Sequence, residues 1–453
     1  MKAANDILGW FIVAVVVVSP IPLGSNPPIF WAISGCLIGL VTFAYFGYAA
    51  IGHGSLRVPL HRLALPGLLW GLLLGWLLVQ MLPLGDWFGP IAFVSKAGDV
   101  IAARYLSLAP GSSWLMAIRM CSYGLVFFLA SQAGANEGRA KRLLTAIFWA
   151  IVLHAAFGLF QLTQLNDTLL GFDKKYYVGV ATGTFVNRNS YATYLAMGLA
   201  LGAALLARLV LSKRERNLLP SEVAVSVLSI AGGMLIIMIS LMASQSRMGF
   251  LAAVIGVTLV GLLTLRWMRG SRWMLALGVL LVAALGLAML LGYGQGLLER
   301  LVYEGGGSSG RDEIYAQVWT MIATRPWLGF GGGAFELAFP MFYGAPLSPD
   351  VLIDKAHSTY LSLISELGVI GGLLPVLIVG LILGRLVMQY FRTSSGAAVL
   401  LAGIGVVAVG AAHSVVDFSL EMQANAYLMI AILGLAQGQA SGSSRRADYP
   451  AQE

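Results

Sequence analysis

Two arginines and one histidine, Arg188, Arg247 and His357, stand out as groups that can do chemistry in a very apolar chain. A guanidinium group stays charged and binds phosphate through paired hydrogen bonds, and a neutral imidazole accepts a proton near neutral pH. The charge pattern of the loops predicts that all three residues lie on the outward face of a membrane domain. Two cations and one base at a bilayer surface are typical of a site that binds a lipid-linked phosphate compound.

Arg188 lies in the segment 183–190 (GTFVNRNS), which closes an outer loop and opens a predicted membrane span. Either Asn187 or Ser190 can cap the helix, which leaves free backbone N–H groups beside a guanidinium group. Such a combination binds anions, so we predict that Arg188, Asn187 and Asn189 bind substrate. The structural alternative is an arginine that extends to lipid headgroups.

Arg247 ends a four-residue polar turn, 244–247 (SQSR), between two predicted spans. Outward loops are normally poor in arginine, so this residue favours a binding role, with contact to headgroups as the alternative.

His357 lies at the predicted start of a helix, whose positive end keeps the imidazole neutral and able to accept a proton. A purely structural histidine is the alternative. Tyr360, in the same predicted turn, is expected to bind substrate.

Three further charged residues are candidates for substrate binding. Arg119 lies inside the fourth predicted span, where an ionisable side chain is expected to be functional, and Arg311 lies in the largest outer loop. Asp417 shares a helix face with His413, four residues earlier, and can pair with it or orient His357 or an arginine. The alternatives are a structural ion pair for Asp417 and loop structure for Arg311.

Metal and nucleotide chemistry lack a suitable set of residues. The five histidines are scattered, no H-x-x-x-H pair occurs, and the outer loops contain no D-x-D pair. We therefore predict no metal and no other cofactor. The run 306–310 (GGSSG) fits the letters of a G-x-S-x-G nucleophile turn, but no strand precedes it. Cys36 and Cys121 both fall in apolar spans, so neither a disulfide nor a thiolate metal site is expected.

The composition is that of an integral membrane protein. Of the 453 residues, 58% are hydrophobic and 11% are charged, and the mean hydropathy is +0.83, whereas soluble domains carry about 25% charged residues. The apolar stretches are close to the ~20 residues that a helix needs to cross a bilayer, and the alternating segments of a β-barrel are absent. We predict an all-α, polytopic fold. The net charge of +8 reflects loop lysines and arginines and not nucleic-acid binding.

Twelve membrane spans are predicted, and the loops between them alternate in charge. The spans lie near residues 6–23, 28–51, 64–84, 113–134, 143–164, 189–211, 222–243, 248–266, 274–293, 368–390, 397–417 and 424–440. Lysines and arginines cluster in one set of alternate loops, which places both termini in the cytoplasm. We predict one transmembrane domain over residues 1–440, with a large periplasmic loop at 294–367, and a disordered cytoplasmic tail at 441–453.

The largest outer loop, 294–367, is predicted to contain two short helices. An acidic first turn around Asp312 indicates the start of the first helix, and Pro326 ends it. Its apolar residues recur on one face, at Ile314, Val318, Met321 and Ile322. Packing over the bundle is expected, with the membrane surface as the alternative. A flexible or tight glycine turn, 329–333 (GFGGG), follows, and the second helix is expected over residues 357–368.

Several strings of this sequence resemble the O-antigen ligase and polymerase superfamily, whose members are bacterial inner-membrane enzymes that transfer glycans from undecaprenyl diphosphate in the periplasm. The strings are GTFVNRNSYATYL, SQSR, GRDEIY…RPWLGFGGGAF and AHSTYLSLISELGVIGG, and they keep the family order between about residues 180 and 420. The resemblance implies a GT-C-like fold and metal-independent, inverting glycosyl transfer. It implies that Arg188 and Arg247 contact the donor diphosphate and that His357 activates the acceptor hydroxyl. For a further cation in an earlier outer loop, Lys96 and Arg119 are both candidates.

The sequence and this resemblance together predict a glycosyltransferase of the inner membrane with its active site in the periplasm. The leading hypothesis is transfer of O-antigen to lipid A-core. The partners are then the undecaprenyl-diphosphate-linked glycan, the lipid A-core or growing-glycan acceptor, and membrane lipids. A polymerase that extends O-antigen or exopolysaccharide repeats is the first alternative, followed by protein O-glycosylation. A transporter predicts charges near mid-bilayer and repeated, interrupted spans, which this sequence does not have.

Overall fold

The computed structural model describes residues 1–53, 55–89, 91–94, 100–212, 220–266, 311–347, 352–392 and 397–448. Within these residues the chain forms fourteen α-helices and two small antiparallel sheets. The predicted span at 274–293, the cation candidate Lys96 and the run 306–310 lie outside the described residues.

The helices are numbered here in chain order. They are α1 Lys2–Val18, α2 Pro28–Tyr48, α3 Ala64–Gln80, α4 Gly85–Phe88, α5 Pro110–Gly134, α6 Glu137–Gln164, α7 Arg188–Ser212, α8 Pro220–Ala243, α9 Arg247–Leu265, α10 Arg311–Thr324, α11 Phe335–Ala338, α12 Thr359–Arg392, α13 Ala397–Ser414 and α14 Gln423–Asp448. The paired strands are β1 Ala92–Val94 with β2 Val100–Ala102, and β3 Thr168–Leu169 with β4 Phe172–Asp173. Short 3₁₀ helices lie at Leu23–Ser25, Leu60–Leu63, Phe339–Met341 and Ser419–Glu421, and a π-helical turn lies at Ala49–His53.

Nine of the described helices are long and apolar enough to cross a membrane, namely α2, α3, α5 to α9, α12 and α13. Each coincides with a predicted span, so the prediction of an all-α, polytopic membrane protein is confirmed. The predicted spans 6–23 and 424–440 coincide with α1, which has 17 residues, and with α14, which is rich in glutamine and serine.

Helices α7 and α13 form the centre of the bundle, because most of their residues are buried whereas few residues of α2 and α8 are. Small residues allow α7, α9 and α13 to approach closely. A Cβ atom at Gly256 in α9 would lie 2.5 Å from Val409 Cγ2 of α13 and 3.2 Å from Ala200 Cβ of α7. A Cβ atom at Gly249 would likewise lie 2.4 Å from Ala192 Cβ, so the first turns of α7 and α9 are in contact.

Helix α10 packs over the bundle through its predicted apolar face. Its buried residues are Ile314, Val318, Met321 and Ile322. These side chains join a second, smaller core that also contains Phe330, Phe339, Ala356 and Leu361. Because α10 also contacts α12, the prediction that this helix packs on the protein is confirmed.

A break at Gly368 divides α12 into a short outer part and a membrane-spanning part. Gly368 has a φ of 70° and a ψ of 170°, and the N–H of Val369 donates to the Pro326 carbonyl at 2.7 Å. The carbonyls that precede the break lose their partners within the helix. The predicted short helix before Gly368 is confirmed, and it begins at Thr359, just after His357.

The glycine turn 329–333 supplies donors to the carbonyls that this break releases. Phe330 N–H donates to the Ser365 carbonyl at 3.0 Å, and Gly331 N–H donates to the Glu366 carbonyl at 2.8 Å. Three glycines of the turn have positive φ. The turn is therefore tight and hydrogen-bonded, and it fastens the outer segment to the start of α12.

Helix α14 continues to Asp448, beyond the predicted domain end at residue 440. Arg62 Nη1 donates to the Ser441 carbonyl at 2.7 Å, and a Cβ at Gly442 would lie 2.9 Å from the Ala135 carbonyl oxygen. Packing against α5 at Gly442 thus accompanies a helix that continues past residue 440, where the sequence predicts the start of a disordered tail. Residues 449–453 lie outside the described part of the chain.

Gly329→Ala is expected to lower the Tm of the detergent-purified protein by several degrees. Gly329 has a φ of +65°, and an added Cβ would lie 2.3 Å from the Glu366 carbonyl oxygen. A strained backbone of this kind costs about 1–3 kcal/mol, and differential scanning fluorimetry measures the result. Gly344→Ala is the matched control, because a Cβ there meets nothing within 4 Å. Equal Tm values for both variants would contradict the tight turn.

Candidate active site

Asn187 caps α7 and fixes Arg188 as the first residue of that helix. Asn187 Oδ1 accepts the backbone N–H groups of Asn189 at 2.7 Å and of Ser190 at 3.3 Å. Of the two predicted caps, Asn187 is therefore the one that the structure contains. These N–H groups were predicted to be free for an anion, but the cap uses them, so a diphosphate here must rely on side-chain donors.

The Arg188 guanidinium lies over the ring of Tyr177, with 5.6 Å between Cζ and the ring centre. Arg188 Nε is buried and has no hydrogen-bond partner among the described residues. Tyr177 belongs to the outer loop that precedes α7, and Asn187 Nδ2 lies 3.4 Å from its hydroxyl oxygen. A cation held over an aromatic ring is oriented without its N–H donors being used. Arg188 is thus positioned and still able to bind an anion.

Asn189 joins the start of α7 to the start of α9. The Ser246 hydroxyl donates to Asn189 Oδ1 at 2.9 Å, and the Ser246 oxygen accepts the backbone N–H of Gly249 at 3.3 Å, which caps α9. Arg247 is the exposed first residue of α9. Arg188 directly precedes Asn189 and Arg247 directly follows Ser246, and consecutive Cα atoms are about 3.8 Å apart. The hydrogen bond between Asn189 and Ser246 therefore places Arg188 and Arg247 at the same end of two adjacent helices.

Asp417 joins these helix starts to the segment that carries the histidine. Asp417 is buried; its Oδ2 accepts from Asn189 Nδ2 at 3.0 Å, and its Oδ1 accepts from the Ser419 hydroxyl. Its main-chain carbonyl accepts both the N–H and the hydroxyl of Thr359, each at 3.1 Å. The start of α12, and with it His357, is therefore held beside the start of α7.

The predicted pairing of Asp417 with His413 is only a long contact. His413 Nδ1 lies 4.0 Å from Asp417 Oδ1, whereas it lies 3.0 Å from the Thr193 hydroxyl. The carboxylate of Asp417 is directed at Asn189 and Ser419 instead. The hydrogen bonds of Asp417 therefore connect the ends of the helices that carry Asn189 and Thr359, and they do not include His413.

His357 precedes α12 in a left-handed backbone conformation, with a φ of 52°. Its carbonyl oxygen accepts the Tyr315 hydroxyl at 2.9 Å, and its ring packs edge-on against Phe418, with 5.4 Å between the ring centres. Ring atom Nδ1 is buried and has no hydrogen-bond partner among the described residues. Helix α10 therefore holds the main chain of His357, while Nδ1 of its ring stays without a hydrogen bond among the described residues.

The pKa of His357 is held below its ordinary value. Burial is the largest cause and the Arg311 guanidinium adds to it, whereas the carboxylates of Asp417, Asp354 and Glu421 act in the opposite direction. The direction agrees with the predicted neutral imidazole. Its causes include burial, which is the largest, and a nearby arginine. This pKa also places Arg311 within electrostatic reach of His357.

Tyr177 connects the two parts of the site, and sequence reasoning missed it. Burial raises the pKa of its hydroxyl, and the charges of Arg188, Asp417 and Arg311 also act on that pKa. Tyr177 is therefore within electrostatic reach of all three charged groups. The available signal was the tyrosine pair 176–177 in an outer loop, shortly before the Arg188 segment.

Arg119 and Tyr360 face a cavity between α5 and α12 instead of Arg188. Arg119 Cζ lies 4.5 Å from the ring centre of Trp31, and its Nη1 donates to the Glu421 carbonyl at 3.2 Å. The Tyr360 hydroxyl donates to the Ala411 carbonyl at 3.1 Å. A role of Arg119 and Tyr360 in donor binding stays a prediction.

The described residues offer an anion three guanidinium groups, those of Arg188, Arg247 and Arg311. Such groups suit phosphate oxygens because they stay charged and present several N–H donors in one plane. Within the described ranges, no group of three His, Cys, Asp or Glu side chains is arranged to hold a metal ion.

Residues 232–376 match the family model described as O-Antigen ligase (Wzy_C). The predicted resemblance to the O-antigen ligase and polymerase superfamily is thereby confirmed over this segment. The matched segment includes Arg247, Arg311 and His357, while Arg188 and Asp417 lie outside it. No curated protein matches the chain.

The apolar helices indicate a multi-pass membrane protein, and the similarity to O-antigen ligases over residues 232–376 supports a ligase or polymerase type of function. Proteins of this family act on glycans and lipid-linked substrates in general.

Asn189→Ala and Ser246→Ala are expected to lower Tm by less in combination than the sum of their single effects. Both changes remove the same 2.9 Å hydrogen bond, and pairs in contact show coupling energies of about 0.5–3 kcal/mol. Thermal unfolding of the parent, the two single variants and the double variant measures this. Asn189→Ala with Thr264→Ala is the control pair and should be additive, because the Thr264 hydroxyl donates to Val260 within α9 at 2.7 Å. Additivity in the first pair would contradict the link between α7 and α9.

Proposed function

We propose that this protein is a glycosyltransferase that moves a glycan from undecaprenyl diphosphate to an acceptor hydroxyl at the periplasmic face of the bacterial inner membrane. The observation that carries the proposal is the cluster around Asp417, which supports one common site for Arg188, Arg247 and His357. The similarity to O-antigen ligases supports the reaction class. The charges of the loops support cytoplasmic termini and an outward site. Transfer of O-antigen to lipid A-core is the leading hypothesis.

Arg188 and Arg247 bind the donor diphosphate in this proposal. The Arg188 guanidinium is held over Tyr177, and exposed Arg247, at the same end of the neighbouring helix, completes a pair of guanidinium groups for phosphate oxygens. Asp417 repels the diphosphate little, because Asn189 and Ser419 donate to its two carboxylate oxygens. Charge develops on the diphosphate as it leaves, and each well-placed donor contributes about 3–4 kcal/mol at that stage.

His357 is the general base for the acceptor hydroxyl. Its imidazole takes the hydroxyl proton while the acceptor oxygen forms a bond to the anomeric carbon of the donor sugar. The bond from that carbon to the diphosphate oxygen breaks, undecaprenyl diphosphate leaves from the opposite face, and the anomeric configuration inverts. Burial and Arg311 keep the imidazole neutral before the reaction. A positioned base contributes about 10²–10⁴-fold to the rate.

Two groups of neighbouring residues support these roles. Arg311 binds the same diphosphate, because its charge acts on both His357 and Tyr177. Asn187 and Asn189 position the arginines instead of touching substrate, because their side-chain oxygens already accept hydrogen bonds from the protein. The predicted substrate-binding role of these two asparagines is revised in this way.

A polymerase that extends O-antigen or exopolysaccharide repeats is the alternative in the same reaction class. Ligase and polymerase differ in the acceptor, and a diphosphate site with one base serves both. Protein O-glycosylation uses the same chemistry and ranks third. Transport is disfavoured, because Arg188, Arg247 and His357 lie at the ends of helices and not in the middle of the spans.

The test is glycan transfer by purified protein from an undecaprenyl-diphosphate glycan, without added divalent metal, to lipid A-core or to a second carrier-linked glycan. Product on lipid A-core supports a ligase, and a ladder on the carrier supports a polymerase. His357→Ala should insert normally in the membrane and lower the rate by ~10²–10⁴-fold. His61→Ala, an exposed histidine in the 3₁₀ helix Leu60–Leu63, is the control. Full transfer by His357→Ala would remove its assigned role, and a metal requirement would contradict the mechanism.

The pH dependence of transfer should follow the pKa of His357. Its neutral form is the base and its pKa lies below the ordinary value, so activity should be lost only below about pH 6.5. Arg311→Gln removes a charge that lowers this pKa, so the acidic limb of the pH–rate profile should move to higher pH. Asp354→Asn removes a charge that raises it, so the limb should move to lower pH. Shifts in the reverse directions would exclude His357 as the titrating base.

A further inference from the structure

A cleft lies between α5, α12, α13 and α14, next to the candidate active site. Its outer part is a cavity of about 290 Å³. The polar residues that α12 contributes to its wall, such as Ser362 and Glu366, lie near the start of the helix, and apolar residues such as Val379 and Leu383 follow. The cavity therefore has a polar end beside the outer surface and an apolar end deeper in the membrane domain.

Four residues that line this cavity each hold one buried polar atom without a partner. These atoms are Arg119 Nε, Glu421 Oε1 and the hydroxyl oxygens of Ser362 and Ser414, and none has a hydrogen-bond partner among the described residues. An unpaired buried polar group destabilises a protein, most of all when it is charged, and native proteins rarely leave several such groups together. The polar end is therefore suited to a ligand that offers both hydrogen-bond donors and acceptors.

The cleft continues into an apolar cavity of about 340 Å³. The two cavities share Met120, Tyr123, Pro375 and Val379. Aliphatic and aromatic side chains line the second cavity, including Phe46, which is exposed on the outside of α2. The cleft thus reaches the surface that faces the hydrocarbon of the bilayer, so an amphipathic ligand fits both of its ends.

Carboxyl groups accompany the one cation that lines the polar end. Arg119 lines the cavity together with Glu366 and Glu421, and Lys355 Nζ lies 3.1 Å from Glu421 Oε2. A diphosphate needs an excess of positive charge and is a poor match for this end. A headgroup with one phosphate and one ammonium group matches it, with the phosphate at the Arg119 guanidinium and the ammonium at the Glu421 carboxylate.

We propose that this cleft binds one zwitterionic phospholipid of the phosphatidylethanolamine type. Its headgroup contacts Arg119 and Glu421, and an acyl chain passes Tyr123 into the apolar cavity. Thr359 and Tyr360 also line the cavity, so the bound lipid supports the start of α12. This lipid site is independent of the proposed glycosyl transfer.

The test is native mass spectrometry of delipidated, full-length protein titrated separately with phosphatidylethanolamine, phosphatidylglycerol and undecaprenyl diphosphate. The ethanolamine lipid should bind about tenfold more tightly than phosphatidylglycerol. Gly380→Leu should weaken its binding about tenfold, because Gly380 lines the cavity and a Cβ there meets nothing within 4 Å. Gly384→Leu is the matched control and should bind normally, because Gly384 is equally open but lines neither cavity.

Glu421→Gln keeps the shape of the side chain and provides a second variant that does not depend on filling the cleft. It should abolish the preference for the ammonium headgroup while phosphatidylglycerol still binds. Three results would overturn the proposal: a preference of the parent protein for phosphatidylglycerol, unchanged ethanolamine-lipid binding in both Gly380→Leu and Glu421→Gln, or selective loss of undecaprenyl diphosphate binding in Gly380→Leu. The last result would assign the cleft to the carrier lipid. Transfer assays on the same proteins report separately on the glycosyltransferase proposal.

Discussion

The hydrogen bonds of one buried carboxylate, that of Asp417, hold the outer end of this protein together. A buried charge is tolerated only when donors surround it, and here the donors come from Asn189 and Ser419, while the main-chain carbonyl of Asp417 accepts from Thr359. The hydrogen bonds of Asp417 thus fix the mutual positions of helices that are far apart in sequence. The residues at the first positions of those helices are positioned by the same hydrogen bonds.

The candidate active site and the lipid cleft lie on either side of the start of α12, and they differ in charge. On one side, Arg188, Arg247 and Arg311 provide an excess of positive charge beside one imidazole. On the other side, Arg119 is matched by carboxylates. Because the surroundings of a charge determine which ligand it suits, we propose that the arginines of the two sites serve different ligands, a diphosphate in one and a zwitterionic headgroup in the other.

Features that follow from the bilayer or from helix periodicity were predictable from the sequence. Span lengths are set by the thickness of the hydrocarbon, and the four apolar residues of α10 recur at the spacing of one helix face, so both predictions are confirmed. The end of the last helix was predicted too early, because Arg62 holds the Ser441 carbonyl from a distant part of the chain.

The candidate site was less predictable, because its contacts join residues that are far apart in sequence. The choice between Asn187 and Ser190 as the cap depends on tertiary packing, and the contact of Tyr177 with Arg188 depends on how an outer loop folds back. The neutral imidazole of His357 was predicted for a different reason from the one found, because burial and Arg311 are not visible in local sequence.

The interruption of α12 at Gly368 separates two mechanical units within one continuous helix. The carbonyls of Ser365 and Glu366 are bonded to the glycine turn, and the Leu367 carbonyl accepts from Trp76 Nε1 at 2.8 Å. The first turns of α12 are therefore fastened to the glycine turn and to α3, independently of the helix that continues after the break. The segment that carries His357 is thus fixed by contacts of its own, apart from those of the membrane-spanning part of α12.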